Sequence, residues 1–195
     1  MGQNTSIADL TVRAEFGDQR AQRLLGLSFY YGRGGAKQNY EEAARWFAAA
    51  HDKEYLGECY LHGYGVERNV EKAITLWEES CDEHLRNYDV MLKLAHLYGD
   101  GIEMAPDYKK ALHLWYALAE NDEGIFGEGF SEAFYQLACY YAEGKGVEKN
   151  LSLARKYFRH AITLFGEEKL PGTTEEPAYI IHTRDILAKG TLTVR

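Results

Sequence analysis

One pattern of apolar positions occurs four times along the chain. In each copy a leucine stands four positions before an aromatic residue, so both side chains lie on one face of a helix. The four pairs are Leu25 with Phe29, Leu56 with Tyr60, Leu94 with Tyr98, and Leu137 with Tyr141. The aromatic residues are 31, 38 and 43 positions apart, and a period of this size predicts a solenoid of stacked helical units.

A glycine-rich turn and a second helix follow each of these helices. Gly63 and Gly65 in the second copy, like Gly144 and Gly146 in the fourth, supply the positive φ that ends a helix and reverses the chain. The second helix is predicted to begin at an N-cap residue, and an alanine follows four positions later. The N-caps are Asn39, Asn69, Asp107 and Asn150, and the alanines are Ala43, Ala73, Ala111 and Ala154.

Small residues on the first helix are expected to face large residues on the second. The position after each leucine holds Gly26, Gly57, Ala95 or Ala138. The bulky pairs on the second helices are Trp46 and Phe47, Leu76 and Trp77, Leu114 and Trp115, and Tyr157 and Phe158. Antiparallel helices pack closely when a large ring on one helix lies against Ala or Gly on the other. These aromatics are therefore predicted to form the core and not to stack on a cofactor.

The predicted fold class is all-α, an α/α solenoid (superhelix) of antiparallel helix pairs with about ten helices, in a single domain over residues 1–195. The predicted elements are a leading half-repeat at 7–16, four repeats at 21–50, 52–81, 89–120 and 132–165, and a C-terminal cap helix at 174–189. A polar-faced terminal helix of this kind closes the end of a solenoid.

Local residues mark the ends of the outermost helices. Ser6, with Asp9 three residues later, is predicted to cap the first helix, and Thr173 with Glu176 to cap the last one before a stop at Gly190. The third repeat carries Glu103 where the second turn glycine is expected, which predicts a wider turn there.

The second copy, LGECYLHGYGVERNVEKAITLW at 56–77, resembles the Sel-one-like repeat, a relative of the tetratricopeptide repeat. The pattern Leu-Gly-x-x-Tyr-x-x-Gly-x-Gly-Val, followed by Asn or Asp, Lys-Ala and an aromatic pair, carries the resemblance over about residues 12–161. The resemblance implies a non-enzymatic adaptor or scaffold that binds a partner protein or peptide in a concave groove. The alternative within the same class is an immunity protein, or antidote, that inhibits a toxin or effector by direct binding.

Composition narrows the class of partner. The chain has 46% apolar and 27% charged residues and a net charge of −8, without the clustered basic footprint that nucleic-acid binding requires. We therefore expect a protein partner, of basic character, and no nucleic acid.

The sequence also indicates where in the cell the protein is expected and which oligomeric state it is expected to have. No apolar run approaches the roughly 18–20 residues of a membrane span, and the N-terminal stretch does not resemble a secretory signal. Three cysteines far apart in sequence, Cys59, Cys81 and Cys139, favour a reducing compartment. We expect a cytoplasmic protein that is a monomer or weak dimer. Gly2 fits a loose myristoylation pattern, which leaves a membrane-tethered regulator as an alternative.

The search for chemistry favours a protein that is not an enzyme and holds no cofactor. The glycines at 144–146 follow a predicted helix and lack the remainder of a phosphate-loop motif. Cys81 and His84 have a spacing that suits two metal ligands, but no second pair stands at a usable distance. A metal-dependent enzyme at this pair is therefore the competing hypothesis, and no metal is expected.

The remaining candidate site is a surface. In the solenoids that this chain resembles, the face of each first helix opposite the core lines the groove, and it is basic and aromatic at one end and acidic at the other here. The candidate residues are Arg20, Arg23, Leu27, Tyr30, Tyr31, Glu54, Glu58, His62, His96, Asp100, Tyr135 and Glu143. The alternative is that the tyrosines and leucines on this face pack against neighbouring first helices.

A second candidate surface is the loop at 121–130, which places apolar residues among glycines and acids. Its candidate residues are Asp122, Glu123, Phe126 and Phe130. The alternative is that the two phenylalanines cover the edge of the third repeat.

Overall fold

The computed structural model describes residues 6–83, 87–120, 128–168 and 176–189, without the side chains of 82, 83, 128–130, 167 and 168. Ten α-helices account for most of these described residues. Contacts divide the chain into two compact units, Met1–Val90 and Met91–Arg195. The all-helical class is confirmed, whereas a single domain over the whole chain stays a prediction.

In the first unit, consecutive helices pack against each other. Helix α1 lies on α2, α2 on α3, α3 on α4, and α4 on α5. The helices of this unit are α1 (Ile7–Glu15), α2 (Gln19–Tyr31), α3 (Tyr40–Ala49), α4 (Lys53–His62) and α5 (Val70–Glu83), and α6 (Tyr88–Asp100) begins in it and continues into the second unit.

Side-chain caps begin these helices where the sequence predicts. Ser6 Oγ accepts the backbone N–H of Asp9 at 3.2 Å, and α1 ends one residue before the predicted limit, with Phe16 as its C-cap. The four predicted N-caps of the second helices all accept a backbone N–H from the first turn. These bonds satisfy donors that a helix start otherwise leaves without partners.

The predicted contact of small against large residues builds the core of the first unit. A Cβ added to Gly26 would come within 2.7 Å of the Phe47 ring, and one at Gly57 would overlap the Trp77 indole. Phe47 and Trp77 are both buried, and Trp77 Nε1 donates to the Glu54 carbonyl at 3.0 Å. Glycine at these two places thus lets paired helices approach until the rings fill the space between them.

The helices of the second unit also pack against one another. Helix α7 packs on α8, α8 on α9, and α10 on both α8 and α9. Helix α6 meets α7 through Lys110 Nζ, which donates to the Tyr98 hydroxyl at 3.1 Å. The helices that follow α6 are α7 (Tyr108–Ala119), α8 (Glu128–Glu143), α9 (Leu151–Glu168) and α10 (Ala178–Lys189). The fully buried large side chains of this unit include Leu94, Trp115, Leu137, Phe158 and Ile180.

The second turn glycine has a role that the sequence alone did not indicate. Gly65 and Gly146 have φ of +70° and +67°, as predicted. A Cβ at Gly65 would overlap the Tyr40 carbonyl, and one at Gly146 would lie 2.9 Å from Tyr108. Because Tyr40 and Tyr108 each begin the second helix of the preceding repeat, these glycines also allow consecutive repeats to stack.

The wider turn predicted for the third repeat is wrong. The Asp107 N–H donates to the Tyr98 carbonyl at 2.8 Å, and the Asn69 N–H donates to the Tyr60 carbonyl at the same distance. The turn around Glu103 therefore closes over the same number of residues as the turn of the second repeat.

The cap helix begins later than the predicted residue 174. Helix α10 begins at Ala178, after Pro177, whose carbonyl accepts the N–H groups of Ile180 and Ile181. Proline is compatible with a helix only in its first turn, which explains the shift. Glu176 forms an ion pair with Arg184, while the rest of the predicted capping box and the stop at residue 190 lie outside the described residues.

Candidate protein-binding surface

The predicted surface residues of the first unit lie along two helices. Arg20, Arg23, Leu27, Tyr30 and Tyr31 lie on α2, and the remaining three lie on α4. The residues on α4 are Glu54, Glu58 and His62. Arg20, Arg23, Tyr31 and His62 are exposed, and the other four are half-buried.

Tyr30 lies at the centre of an aromatic cluster. Its ring centroid is 6.0 Å from that of Phe47, 5.8 Å from Tyr55 and 6.0 Å from Tyr64. This burial raises the pKa of the Tyr30 hydroxyl well above its usual range. Tyr30 and Leu27 both pack against the Phe47 core, so these two side chains contribute mainly to the packing of the unit.

Tyr31 is the exposed aromatic residue of this region, with 45% of its surface accessible. Its hydroxyl oxygen lies 3.5 Å from that of Tyr55, and Arg33 Cζ lies 4.8 Å from its ring centroid. Arg23 Cζ in turn lies 5.6 Å from the ring centroid of Tyr55. We call these four residues, Arg23, Tyr31, Arg33 and Tyr55, the Tyr31 patch.

Neighbours in the first unit hold the Tyr31 patch in place. Arg23 Nε donates to Asp52 Oδ2 at 2.7 Å, and the Asp52 side chain is only 7% exposed. Asp52 is itself fixed, because it accepts the Tyr55 N–H as the N-cap of α4. The Tyr55 ring stacks on Phe47 with centroids 4.9 Å apart. Two of the four patch residues, Arg23 and Tyr55, are therefore held by neighbours within the unit.

The acidic part of the predicted surface continues along α4. His62 Nε2 lies 3.3 Å from Glu58 Oε2, and its ring is 5.1 Å from that of Tyr64. These contacts link Glu58 and His62 to the aromatic cluster.

In the second unit, His96 connects two first helices. Its Nε2 lies 3.0 Å from Glu132 Oε1 on α8, and its Nδ1 lies 3.8 Å from Asp100 Oδ2 on α6. The ring packs edge-on against Trp115 at 5.0 Å. The hydrogen bond to Glu132 raises the pKa of His96, since the nearby carboxylates favour the protonated imidazole.

Tyr135 and Glu143 make contacts within the second unit. A hydrogen bond of 2.9 Å joins the Tyr135 hydroxyl to His182 Nδ1 of α10, and the Tyr135 ring lies 5.5 Å from that of Tyr179. The cap helix thus covers Tyr135, which therefore contributes to packing within the unit. Glu143 is engaged by Lys145 at 2.7 Å.

The second candidate surface lies outside what the structure describes. Asp122, Glu123 and Phe126 are outside the described residues, and only the backbone of Phe130 is described, within α8. Its role stays a prediction.

Sequence reasoning missed Tyr55, Arg33 and Asp52 as members or supports of the Tyr31 patch. Tyr55 stands one position before the repeat leucine. The equivalent residues in the other three copies are Leu24, Lys93 and Gln136. Nothing in the repeat pattern therefore marked it. Asp52 could have been found, because an aspartate before a helical stretch is a typical N-cap.

The described residues contain no group of three or more His, Cys, Asp or Glu side chains that could hold a metal ion. The predicted partner of Cys81, His84, lies outside the described residues. Burial raises the pKa of Cys59 to about 12 and that of Cys139 to about 12, so both remain protonated at neutral pH. A protonated thiol is a poor nucleophile and a poor metal ligand. Among the helices of the described ranges, none is long and apolar enough to cross a membrane.

Two solved structures share the fold of this chain. The protective antigen c5321 of uropathogenic Escherichia coli, which displays an SLR fold, superposes with a TM-score of 0.65 at 20% identity, over 94% of this chain and 41% of its own. A Sel1 repeat protein from Oxalobacter formigenes superposes with a TM-score of 0.63 at 18% identity, over 96% of this chain and 95% of its own. Likeness at these identities shows the SLR solenoid fold alone.

A sequence relative with a stated role is the ERAD-associated E3 ubiquitin-protein ligase component HRD3B of Arabidopsis thaliana. It is 32% identical over 95 residues, which are 48% of this chain and 16% of HRD3B. The matched part is thus a small fraction of that relative.

The family assignment rests on the repeats themselves. The Sel1 repeat matches residues 19–53, 54–84, 89–123 and 131–164, close to the four copies of the leucine and aromatic pattern. Since these matches cover most of the chain, it belongs to the Sel1 repeat family.

Proposed function

We propose that this protein is a non-enzymatic binding module that holds another protein on the Tyr31 patch of its first unit. The observation that carries the proposal is Tyr31 itself, an aromatic side chain 45% exposed beside Arg33 and next to Tyr55, whose ring lies under Arg23. Tyr and Arg are the residue types that most often dominate the binding energy of protein interfaces.

The contacts that hold two residues of the patch support the proposal further. Arg23 is fixed by Asp52, and Tyr55 is fixed by stacking on Phe47. Association costs free energy for each side chain that must be immobilised, so side chains held beforehand bind at a lower cost. The Arg23 and Tyr55 positions therefore suit recognition better than freely rotating residues.

The role of the module is proposed as that of a cytoplasmic adaptor or scaffold. The plant relative is named as a component of a ubiquitin ligase, which favours assembly with other proteins as the role of such repeats. An antidote that inhibits a toxin would use the same surface, so the identity of the bound partner separates the two roles.

The test is a capture of partners by the tagged protein from lysate of the cells that make it. The variant is Tyr31→Glu with Arg33→Glu, two exposed residues with no part in the core. The control is Phe16→Glu with Lys37→Glu, which also loses an exposed aromatic residue, 88% accessible in this case, and makes the same change in charge.

We expect a protein that is held by wild type and by the control but is lost by the Tyr31 variant, with circular dichroism showing all three folded. A scaffold partner would be a subunit of a complex, whereas an antidote would retain a toxin domain and block its activity. Equal retention by all three proteins would place binding elsewhere, and retention by none would reject the proposed function.

A further inference from the structure

Five tyrosines lie together where the first two repeats of the first unit meet. Tyr30 is at their centre, with its ring centroid 5.0 Å from that of Tyr31, 5.5 Å from Tyr40, 5.8 Å from Tyr55 and 6.0 Å from Tyr64. They belong to α2, the start of α3, α4 and the turn that follows α4. Tyr31 is exposed and the other four are half-buried, so each keeps some accessible surface. We call these five residues the tyrosine cluster.

The rings of the tyrosine cluster are inclined to one another. The ring planes of Tyr31 and Tyr64 make angles of 77° and 69° with that of Tyr30. The ring of Tyr64 lies nearly parallel to that of Tyr40, with centroids 4.4 Å apart. In the described part of the chain, Tyr31 and Tyr64 make no ring contact with each other. The cluster therefore offers two separate ring surfaces, Tyr31 and the Tyr40–Tyr64 pair, which are joined by Tyr30.

Three hydroxyl groups of the cluster keep a proton to donate. Within the described residues, the hydroxyls of Tyr30 and Tyr64 make no hydrogen bond. The Tyr40 hydroxyl accepts a hydrogen bond from Gln38 Nε2 at 2.9 Å, which leaves its own proton available. A ligand that brings hydrogen-bond acceptors therefore matches this surface better than one that brings donors.

The charged groups near the cluster fit the same kind of ligand. Arg33 Cζ lies 4.8 Å from the centroid of the Tyr31 ring, and its guanidinium adds further N–H donors. The carboxylate of Glu58 on α4 is engaged by His62, whose Nε2 lies 3.3 Å from Glu58 Oε2. The surface thus combines ring faces with groups that donate.

A proline-rich segment complements these features. Proline has no backbone N–H, so such a segment brings carbonyl acceptors and few donors that need a partner. It adopts the polyproline II helix, which has no internal hydrogen bonds and leaves every carbonyl accessible. Grooves lined by aromatic residues are the surfaces on which proteins bind this helix. Because the helix is already formed, it also loses little conformational freedom on binding.

We propose that the tyrosine cluster binds a proline-rich segment of the partner protein in the polyproline II conformation. The inference rests on the proposed function, because Tyr31 belongs both to the cluster and to the Tyr31 patch. Prolines of the segment pack on Tyr31 and on the Tyr40–Tyr64 pair, and its backbone carbonyls accept the hydroxyl protons of Tyr30 and Tyr64.

The experiment selects peptides from a random displayed library with the wild-type protein and measures the best peptide by isothermal titration calorimetry. The variant is Tyr64→Phe, which removes one donor and keeps the ring. The control is Tyr60→Phe, the same chemical change on α4 outside the cluster, at a hydroxyl that contacts Lys72 Nζ at 2.6 Å. Circular dichroism verifies that both variants are folded.

We expect the selection to enrich peptides with prolines at the Pro-x-x-Pro spacing of one helical turn, and alanine in place of these prolines to abolish binding. Tyr64→Phe should bind the best peptide about three- to tenfold more weakly, which is the loss expected for one hydrogen bond, and Tyr60→Phe should bind it as wild type does.

Enriched peptides without proline, no enriched peptide at all, or equal affinities of Tyr64→Phe and Tyr60→Phe would each overturn the inference. The proposed function is judged separately by the capture from lysate. A partner that is lost by the Tyr31 variant but contains no proline-rich segment would uphold that function and reject this inference.

Discussion

At the residue scale, replacing a helical glycine by alanine is expected to lower stability at one position and not at another. At Gly57 a Cβ would overlap the Trp77 indole, whereas at Gly166 on α9 no atom lies within 4 Å of the added Cβ. Both positions are helical, so both gain about 1 kcal/mol in helix propensity from alanine. Only the first also has to displace a buried ring.

We therefore expect Gly57→Ala to lower the free energy of unfolding by about 1–3 kcal/mol, which is the usual cost of overpacking a core. Gly166→Ala should leave stability unchanged or raise it by up to about 1 kcal/mol. Urea unfolding followed by circular dichroism measures both. If Gly57→Ala were as stable as Gly166→Ala, the close packing of α4 on α5 would be wrong.

Trp77 and Tyr31 provide a second contrast between inside and outside. Trp77 is 1% exposed, so Trp77→Ala should cost about 3–5 kcal/mol. Tyr31 is 45% exposed and lies at the edge of the aromatic cluster, with its ring 5.0 Å from that of Tyr30, so Tyr31→Ala should cost about 1 kcal/mol or less. Thermal melts should rank the two variants in this order, and the reverse order would mean that the faces of the repeat are exchanged.

At the scale of helices, the sequence pattern predicts most of the fold, because residues close in sequence determine where each helix begins and ends. Helix starts follow N-cap side chains such as Asn39 and Asp107, and helix ends follow glycines that adopt positive φ. The contacts of Tyr135 with α10 and of Tyr55 with Tyr31 join residues far apart in sequence. No local pattern encodes such contacts, which is why these parts of the candidate surface emerged only from the structure.

The docking of α10 supplies a prediction at this scale. Ile180 is fully buried, while its neighbour Ile181 is 53% exposed, so one face of the helix holds it to the second unit. We expect Ile180→Ala to lower the free energy of unfolding by about 2–5 kcal/mol and Ile181→Ala to change it by less than about 1 kcal/mol. Denaturant unfolding of the two variants provides the measurement, and similar losses would show that α10 is not docked by this face.

We expect the link that His96 makes between α6 and α8 to depend on pH. His96 contacts Glu132, Asp100 and Trp115, and its pKa is raised chiefly by the hydrogen bond to Glu132. The folded-state pKa thus lies above the ordinary value of about 6.5 that holds in the unfolded chain. The stabilisation is fully present below the unfolded value and is lost as the pH rises through the folded-state value.

We therefore expect the advantage of wild type over His96→Gln to be larger at about pH 5.5 than at about pH 8.5. Urea midpoints of both proteins at the two pH values give this difference, and Glu132→Gln serves as the control that removes the principal partner. An advantage that grows with pH would contradict the assigned direction of the pKa shift.

At the scale of the whole molecule, the chain combines two compact units of Sel1 repeats with a net charge of −8. The net charge of the sequence led to the expectation of a basic partner. The structure adds the local charges around single side chains, since Arg33 lies over the Tyr31 ring in the first unit, whereas Glu132 and Asp100 lie beside His96 in the second. Net charge alone does not reveal such local distributions, because it sums over all surfaces.

The measurement that tests the central claim most directly is site-specific photo-crosslinking in the cells that make the protein. A photoreactive benzoylphenylalanine would replace Tyr31 in one protein and Phe16, an aromatic residue 88% exposed, in the other. The proposed function predicts one partner protein crosslinked at position 31, absent at position 16, and suppressed when Arg33→Glu is added. Crosslinking of the same partner at both positions, or none at position 31, would contradict binding on the Tyr31 patch.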